Sequence, residues 1–99
     1  MVERLSEAEI NAHLAKTDGW ARQGDEIFKT YTLSSFPAAL TFVSTVGHLA
    51  EAADHHPDIL VKYKKVTLTL STHSAGGLTE KDFALANQID ALPMKSPKI

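Results

Sequence analysis

Cysteine is absent from all 99 residues. That excludes disulfide staples, thiolate nucleophiles and cysteine-ligated zinc, and it removes redox chemistry as a guide to compartment. No apolar run approaches the ~20 residues of a membrane span, and the opening residues lack the pattern of a signal peptide. Acidic and basic side chains nearly cancel, 12 against 10. No basic stripe stands out, so direct nucleic-acid binding is not expected. Lys62, Lys64 and Lys65 form the one dense basic spot, which fits a solvated hairpin tip. Internal repeats, low-complexity segments, Gly-rich phosphate loops and a GxSxG elbow are all missing. The expectation is one cytoplasmic domain over 1–99, without membrane contact and loose from about residue 93.

What is present is ordinary globular material, 43% hydrophobic and 22% charged, enough to bury roughly two thirds of its unfolded surface. Ser6 to Ala15 reads as a helix: Ser6 and Glu9 have capping-box spacing, and Leu5 with Ile10 matches the hydrophobic staple. A hairpin follows, from Trp20 through a turn at Gln23-Gly24-Asp25 into Glu26–Leu33, rich in aromatic and β-branched residues. Ser34 or Ser35 caps the next helix, with Pro37 in its first turn. Its apolar face (Phe36, Ala39, Leu40, Val43, Ala50, Ala53) is widened by Phe42, Val46 and Leu49 to about half the circumference. A helix lying on its own sheet needs less, so a homo-oligomer is expected. Pro57 disfavours helical geometry at His56, which puts the helix end at about His55.

Ile59, Val61 and Tyr63 alternate on one strand, and Val66, Leu68 and Leu70 on the next. A two-residue loop at Lys64-Lys65 pairs Val61 with Leu68 and puts all six on one face. Carried outward, that register sets Asp58 opposite Ser71 and His56 opposite His73, with Cβ atoms about 5 Å apart. Ser74-Ala-Gly-Gly77 is a loop. The last helix runs from about Glu80 to Ala91, with Thr79 as cap, Asp82 at N3 and Leu78 with Phe83 as staple. The fold class is α+β, order α-β-β-α-β-β-α: a four-stranded antiparallel sheet with helices on one face.

The histidines carry the functional signal. Glu51 and His55 stand at i and i+4, so the carboxylate can orient the imidazole and favour its charged form, as can a helix C-terminus. With His56 and His73 alongside, they make a cluster suited to proton transfer near neutral pH. His48, Glu51 and His55 have helical spacing for a metal, but neither HExxH nor cysteine supports one. His13 reads as a surface histidine, Trp20 as a core or interface anchor, Asp54 as a solvated helix residue and Asp82 as a cap.

The pattern Glu51-x3-His55-His56-Pro57-x5-Tyr63-x9-His73-x8-Asp82 resembles the signature of the pterin-4a-carbinolamine dehydratases. Gly19-Trp20, Ile27-Phe28-Lys29, Tyr63–His73 and Gly77–Asp82 are similar to that family too, so the likeness spans nearly the whole chain. Ile59 departs from it, where many members carry an aromatic residue. The resemblance implies dehydration of 4a-hydroxytetrahydrobiopterin to quinonoid dihydropterin in tetrahydrobiopterin recycling, without metal or cofactor. It implies His55, His56 and His73 as catalytic residues, with Pro57, Thr72, Ser74 and Ala75 contacting the pterin beside Glu51. His55 would be the acid, His73 the base and His56 a positioner. It also implies dimers that join sheets, often tetramers joined through helices. Two alternatives come with it: a non-catalytic dimerisation cofactor for a homeodomain transcription factor, and a pterin-binding relative in molybdopterin metabolism.

Overall fold

The computed structural model describes residues 3–93; beyond Pro93, the expected loose tail lies outside the described residues. Helix α1 (Glu7–Ala15) begins where its sequence says it should. Ser6 Oγ accepts from Glu9 N–H, and the Glu9 carboxylate accepts from Ser6 N–H. Strands β1 (Ala21–Gln23) and β2 (Glu26–Thr32) form the first hairpin, turning at Gly24, where φ is +60°. Helix α2 (Phe36–Ala53) is capped by Ser35 and leads to β3 (Asp58–Lys62) and β4 (Lys65–Leu70). A 3-10 turn (His73–Ala75) precedes α3 (Glu80–Asp90), which has the expected Thr79/Asp82 capping box. The four strands make one antiparallel sheet in the order β1-β2-β4-β3.

Alternation along β2 and β4 decides which face the helices cover. Ile27, Tyr31, Val66, Leu68 and Leu70 are buried, and they pack with Ala39, Phe42, Val46 and Ala50 of α2 and Phe83, Leu85, Ala86 and Ile89 of α3. The other face shows Thr30, Thr67 and Thr69, and the first two share a hydrogen bond of 2.8 Å. The wide apolar arc of α2 divides: Phe42 is fully buried, whereas Phe36 and Leu40 are 45% and 48% exposed.

The β3–β4 register differs from the expected one by two residues. Lys62 pairs with Lys65, Val61 with Val66 and Ile59 with Leu68, so the tip is Tyr63-Lys64. Tyr63 takes the positive φ, +55°, that this tight turn requires. A shift of two preserves the parity of the pleat, so the buried face is unchanged. The same shift sets Asp58 beside Thr69, not Ser71.

Asp90, at the end of α3, pins that helix to the first hairpin. Its Oδ1 accepts from Lys29 Nζ (2.8 Å) and Tyr31 Oη (2.6 Å), and its Oδ2 from Trp20 Nε1 (3.0 Å). Lys29 also donates to the Asp18 carbonyl. Trp20 is thus a core anchor. Burial, and then the adjoining Asp90 carboxylate, hold the Tyr31 phenol far above its ordinary value of 10.0. In the unfolded chain this phenol ionises near pH 10, whereas in the folded one it stays protonated. Its stabilising contribution is therefore intact below pH 10 and declines as pH rises further. Between about pH 9 and 11 the urea midpoint of the wild type should fall more steeply than that of Tyr31→Phe. Parallel slopes would show that the buried phenol does not drive alkaline unfolding.

Candidate active site

Helix α2 ends at Ala53, two residues before the expected His55, and this aims both histidines. Asp54 takes the left-handed conformation (φ +52°). Its N–H reaches Glu51 O (3.2 Å), and the His55 N–H reaches Ala50 O (3.1 Å). These are the two bonds of a Schellman motif, closed here by aspartate in the place glycine usually takes. Because Asp54 leaves the helical path, Glu51 and His55 no longer share a face. The Glu51 carboxylate instead meets His56 Nε2 at 2.9 Å, at the exposed surface. The expected Glu51–His55 pair is replaced by Glu51–His56.

His55 turns inward. It is 8% exposed, and its Nε2 lies 2.6 Å from Oδ1 of Asp82, which is fully buried. The other oxygen of Asp82 accepts from Thr79 N–H (2.9 Å) and from Thr72 Oγ1 (2.8 Å). Since the Thr72 proton is given to Asp82, the Thr79 hydroxyl donates to Thr72 Oγ1 across 2.9 Å, and accepts in turn from Lys81 N–H. A carboxylate only accepts, so Asp82 fixes the proton of His55 on Nε2 and leaves Nδ1 as its exchangeable nitrogen. Asp82 is therefore both helix cap and histidine partner. The capping spacing gave only the first role. The second joins three separate segments, and no local pattern announces it.

Beyond β4 the chain folds into a closed loop that displays His73. Thr72 and Gly77 exchange backbone hydrogen bonds of 3.1 and 3.3 Å. From outside, Arg4 Nη1 donates to Gly76 O (3.2 Å) and Leu5 N–H to Leu78 O (2.8 Å). A side chain at Gly77 would meet Arg4 Cδ at 2.6 Å, so Arg4 would have to shift on the loop to admit one. His73 starts the 3-10 turn, exposed, and its imidazole has no hydrogen-bond partner among the described residues.

Continuing the β3–β4 register by two residues places His56 beside Ser71 rather than His73, and the β2–β4 register places Glu26 on Ser71's other side. Antiparallel partners share a face, so Glu26, Ser71 and His56 form one row at the end of the sheet's helix-free side. A cleft of about 10 Å³ lies there, lined by Glu26, His56, Asp58, Thr69, Ser71 and His73. Next to it opens a cavity of about 390 Å³, bounded by Gln23, Asp25 and Glu26 of the first hairpin and by Ser71, His73, Gly76 and Gly77.

The structure thus brings His56 and His73 to one cleft and keeps His55 behind it on Asp82. Thr72 is buried, with its hydroxyl and both backbone groups already bonded; it braces the site from within. Ser74 is exposed, and Ala75 and Pro57 are half-buried. His48 is exposed on α2, and the Glu51 and His55 it was grouped with are bonded elsewhere. His13 is half-buried, stacked on Phe83 with centroids 4.8 Å apart. Ser71 and Glu26 line the cleft without having been singled out. Ser71 was readable as polar-faced, but Glu26 reaches it only through β2–β4 pairing, which no hairpin dictates.

Residues 3–92 match the family described as pterin 4 alpha carbinolamine dehydratase. The chain belongs to this family. A protein of Roseiflexus sp. (strain RS-1), provisionally named a pterin-4-alpha-carbinolamine dehydratase, is 60% identical over 92 residues, 93% of this chain and 99% of its own. A counterpart in Nocardia farcinica with the same provisional name is 52% identical, covering 91% of this chain and 95% of its own. Among solved structures, a transcriptional coactivator/pterin dehydratase from Brucella melitensis superposes with a TM-score of 0.86 at 35% identity, over 90% of this chain and 97% of its own. A pterin dehydratase-like protein identified as a RuBisCO assembly factor in the alpha-carboxysome gives 0.65 at 28% identity, over 80% and 94%. A solved relative titled as a dehydratase thus shares this fold, and a dehydratase-like protein of similar fold is described by a different role.

Proposed function

We propose that this dehydratase-family chain eliminates water from a pterin 4a-carbinolamine to give the quinonoid dihydropterin. The observation that carries the reading is the meeting of His56 and His73 on one cleft beside a cavity large enough for a bicyclic ligand. The substrate holds a hydroxyl on C4a next to the N5 amine. As the C4a–O bond breaks, the N5 lone pair forms the new C=N bond. A proton goes to the departing hydroxyl, making water, and another leaves N5. Imidazoles suit both transfers near neutral pH.

His73 is the base in this scheme, since its ring is uncommitted. His55 is the acid through Nδ1, with Asp82 in the place first given to Glu51. The buried Asp82 is the stronger partner, because the solvated Glu51–His56 pair is screened by water. His56, tethered to Glu51 and lining the cleft, orients the pterin, which Pro57, Ser74 and Ala75 border. Recycling of tetrahydrobiopterin in the cytoplasm is the corresponding cellular role. Phe36 and Leu40, exposed on α2, support assembly through that helix into a homodimer or homotetramer. The same two residues favour the second reading, a non-catalytic protein-binding role, because an uncovered apolar strip fits another protein as well as a second copy.

Stopped-flow dehydration of a synthetic carbinolamine tests the proposal. His73→Ala and His55→Ala should each lose about 10²-fold or more in kcat. A smaller loss for His56→Ala, mainly in KM, should accompany them. Background-level dehydration by wild-type protein would discard the enzymatic reading in favour of the binding one.

A further inference from the structure

Four polar side chains from three segments are buried in one connected chain: His55 after α2, Thr72 after β4, and Thr79 with Asp82 at the start of α3. The Asp82 carboxylate can only accept, which orders the protons on every other member. Thr79 gives its hydroxyl proton to Thr72 Oγ1 (2.9 Å), Thr72 gives its own to Asp82 Oδ2 (2.8 Å), and His55 Nε2 meets Asp82 Oδ1 at 2.6 Å. Among the described residues, no buried side-chain nitrogen or oxygen is left without a partner.

Thr72 stands in the middle of this chain and is also the residue before His73. Its N–H donates to Gly77 O (3.1 Å), and its carbonyl accepts from Ala75 N–H (3.0 Å) and Gly77 N–H (3.3 Å). Those bonds close the loop that carries His73. Every polar group of Thr72 is therefore committed inside the protein, away from the pterin contact that the family resemblance implies. Its hydroxyl ties the His73 loop to the carboxylate that holds His55, so two rings from separate segments are referred to one side chain. Thr79 differs. It reaches Asp82 through its N–H (2.9 Å), and its hydroxyl touches only Thr72 and Lys81 N–H. Loss of that hydroxyl leaves the Thr72–Asp82 bond in place.

We infer that Thr72 is a positioning residue, whose hydroxyl fixes the spacing between His55 and His73 without touching substrate. Its kinetic consequence rests on the dehydratase reading above. A misplacement of about 1 Å between reacting groups can cost about 10²-fold in rate.

The experiment compares Thr72→Val, Thr72→Ser and Thr79→Val in carbinolamine dehydration, each well below its unfolding transition. Thr72→Val keeps the shape but removes the donor, and should lower kcat about tenfold or more with KM within about threefold. Thr72→Ser restores the hydroxyl and should return kcat to within about threefold of wild type. Thr79→Val loses a helix cap, so its urea midpoint should fall as well, yet its kcat should stay within about threefold. Should Thr72→Val not fold, Thr72→Cys, which keeps a weak donor, takes its place and should lose about threefold or more. Wild-type kcat in the folded variant, an equal loss in Thr79→Val, or no recovery in Thr72→Ser overturns the inference, because activity would then follow stability or packing alone. The 15N shifts of the His55 ring give a readout free of turnover. Thr72→Val should move them, and Thr72→Ser and Thr79→Val should leave them near wild type. A wild type that dehydrates nothing removes the dehydratase reading, and unchanged His55 shifts in Thr72→Val separately remove the link through Thr72.

Discussion

Asp82→Asn should leave a folded protein whose carbinolamine turnover is reduced about 10²-fold or more. The amide oxygen can still accept from Thr79 N–H and Thr72 Oγ1, so the cap survives. The NH2 group then faces His55 Nε2, and two donors cannot share that position. The imidazole must move its proton to Nδ1, and without the carboxylate that supports the charged ring the neutral imidazole is a far poorer proton donor. The change is visible independently of activity, as an exchange of the two ring-nitrogen shifts in the 15N spectrum of His55. Asp82→Ala is harsher. It strands three donors in a place without water and should cost about 3 kcal/mol or more. A small domain has only roughly 5–15 kcal/mol in all, so this variant should populate unfolded forms on modest warming. Normal turnover by Asp82→Asn, with the tautomer demonstrably switched, would take His55 out of the proton-transfer scheme.

Asp90→Ala should destabilise the chain by about 3 kcal/mol without altering chemistry at the site. Three donors converge on this carboxylate, and one is the Lys29 ammonium, which lies on the helix-covered side of β2 with its side chain only 15% exposed. Removing the acceptor leaves that charge with only the Asp18 carbonyl and the face of the Tyr31 ring. Adding Lys29→Met to Asp90→Ala should restore part of the loss, because no uncompensated charge then remains. Asp82 and Asp90 are eight residues apart, about 12 Å along α3. Damage at one should therefore spare the other while the protein is folded. Urea titration and kcat at a temperature well below the transition check both halves. A loss under about 1 kcal/mol would mean the network is ornamental.

Both carboxylates show where a sequence is legible and where it is silent. Ser6 with Glu9 and Thr79 with Asp82 announced two helix starts, because a capping box is a contact between residues three apart. The faces of β3 and β4 were readable because alternation has period two. For the same reason their exact pairing was not, since a pattern that repeats every two residues cannot distinguish registers that differ by two. The end of α2 was misjudged by the side chain at position 54: aspartate enters the left-handed region less often than glycine and gave no stop signal. That one dihedral exchanged the partners of Glu51. The broad apolar arc of α2 was real, but which part of it met the sheet depended on packing, and Phe42 proved central where it had been counted as surplus. Asp90 was invisible, because its three donors come from distant parts of the chain.

The turn at Tyr63-Lys64 bears on how this ribbon can change over generations. Lengthening or shortening the tip by an even number of residues leaves the oily side of both strands oily and the threonine side open. An odd change inverts one strand, exposing its greasy residues and burying its threonines. Drift in the size of this tip should therefore proceed in steps of two, whatever ligand the opposite end of the sheet has come to hold.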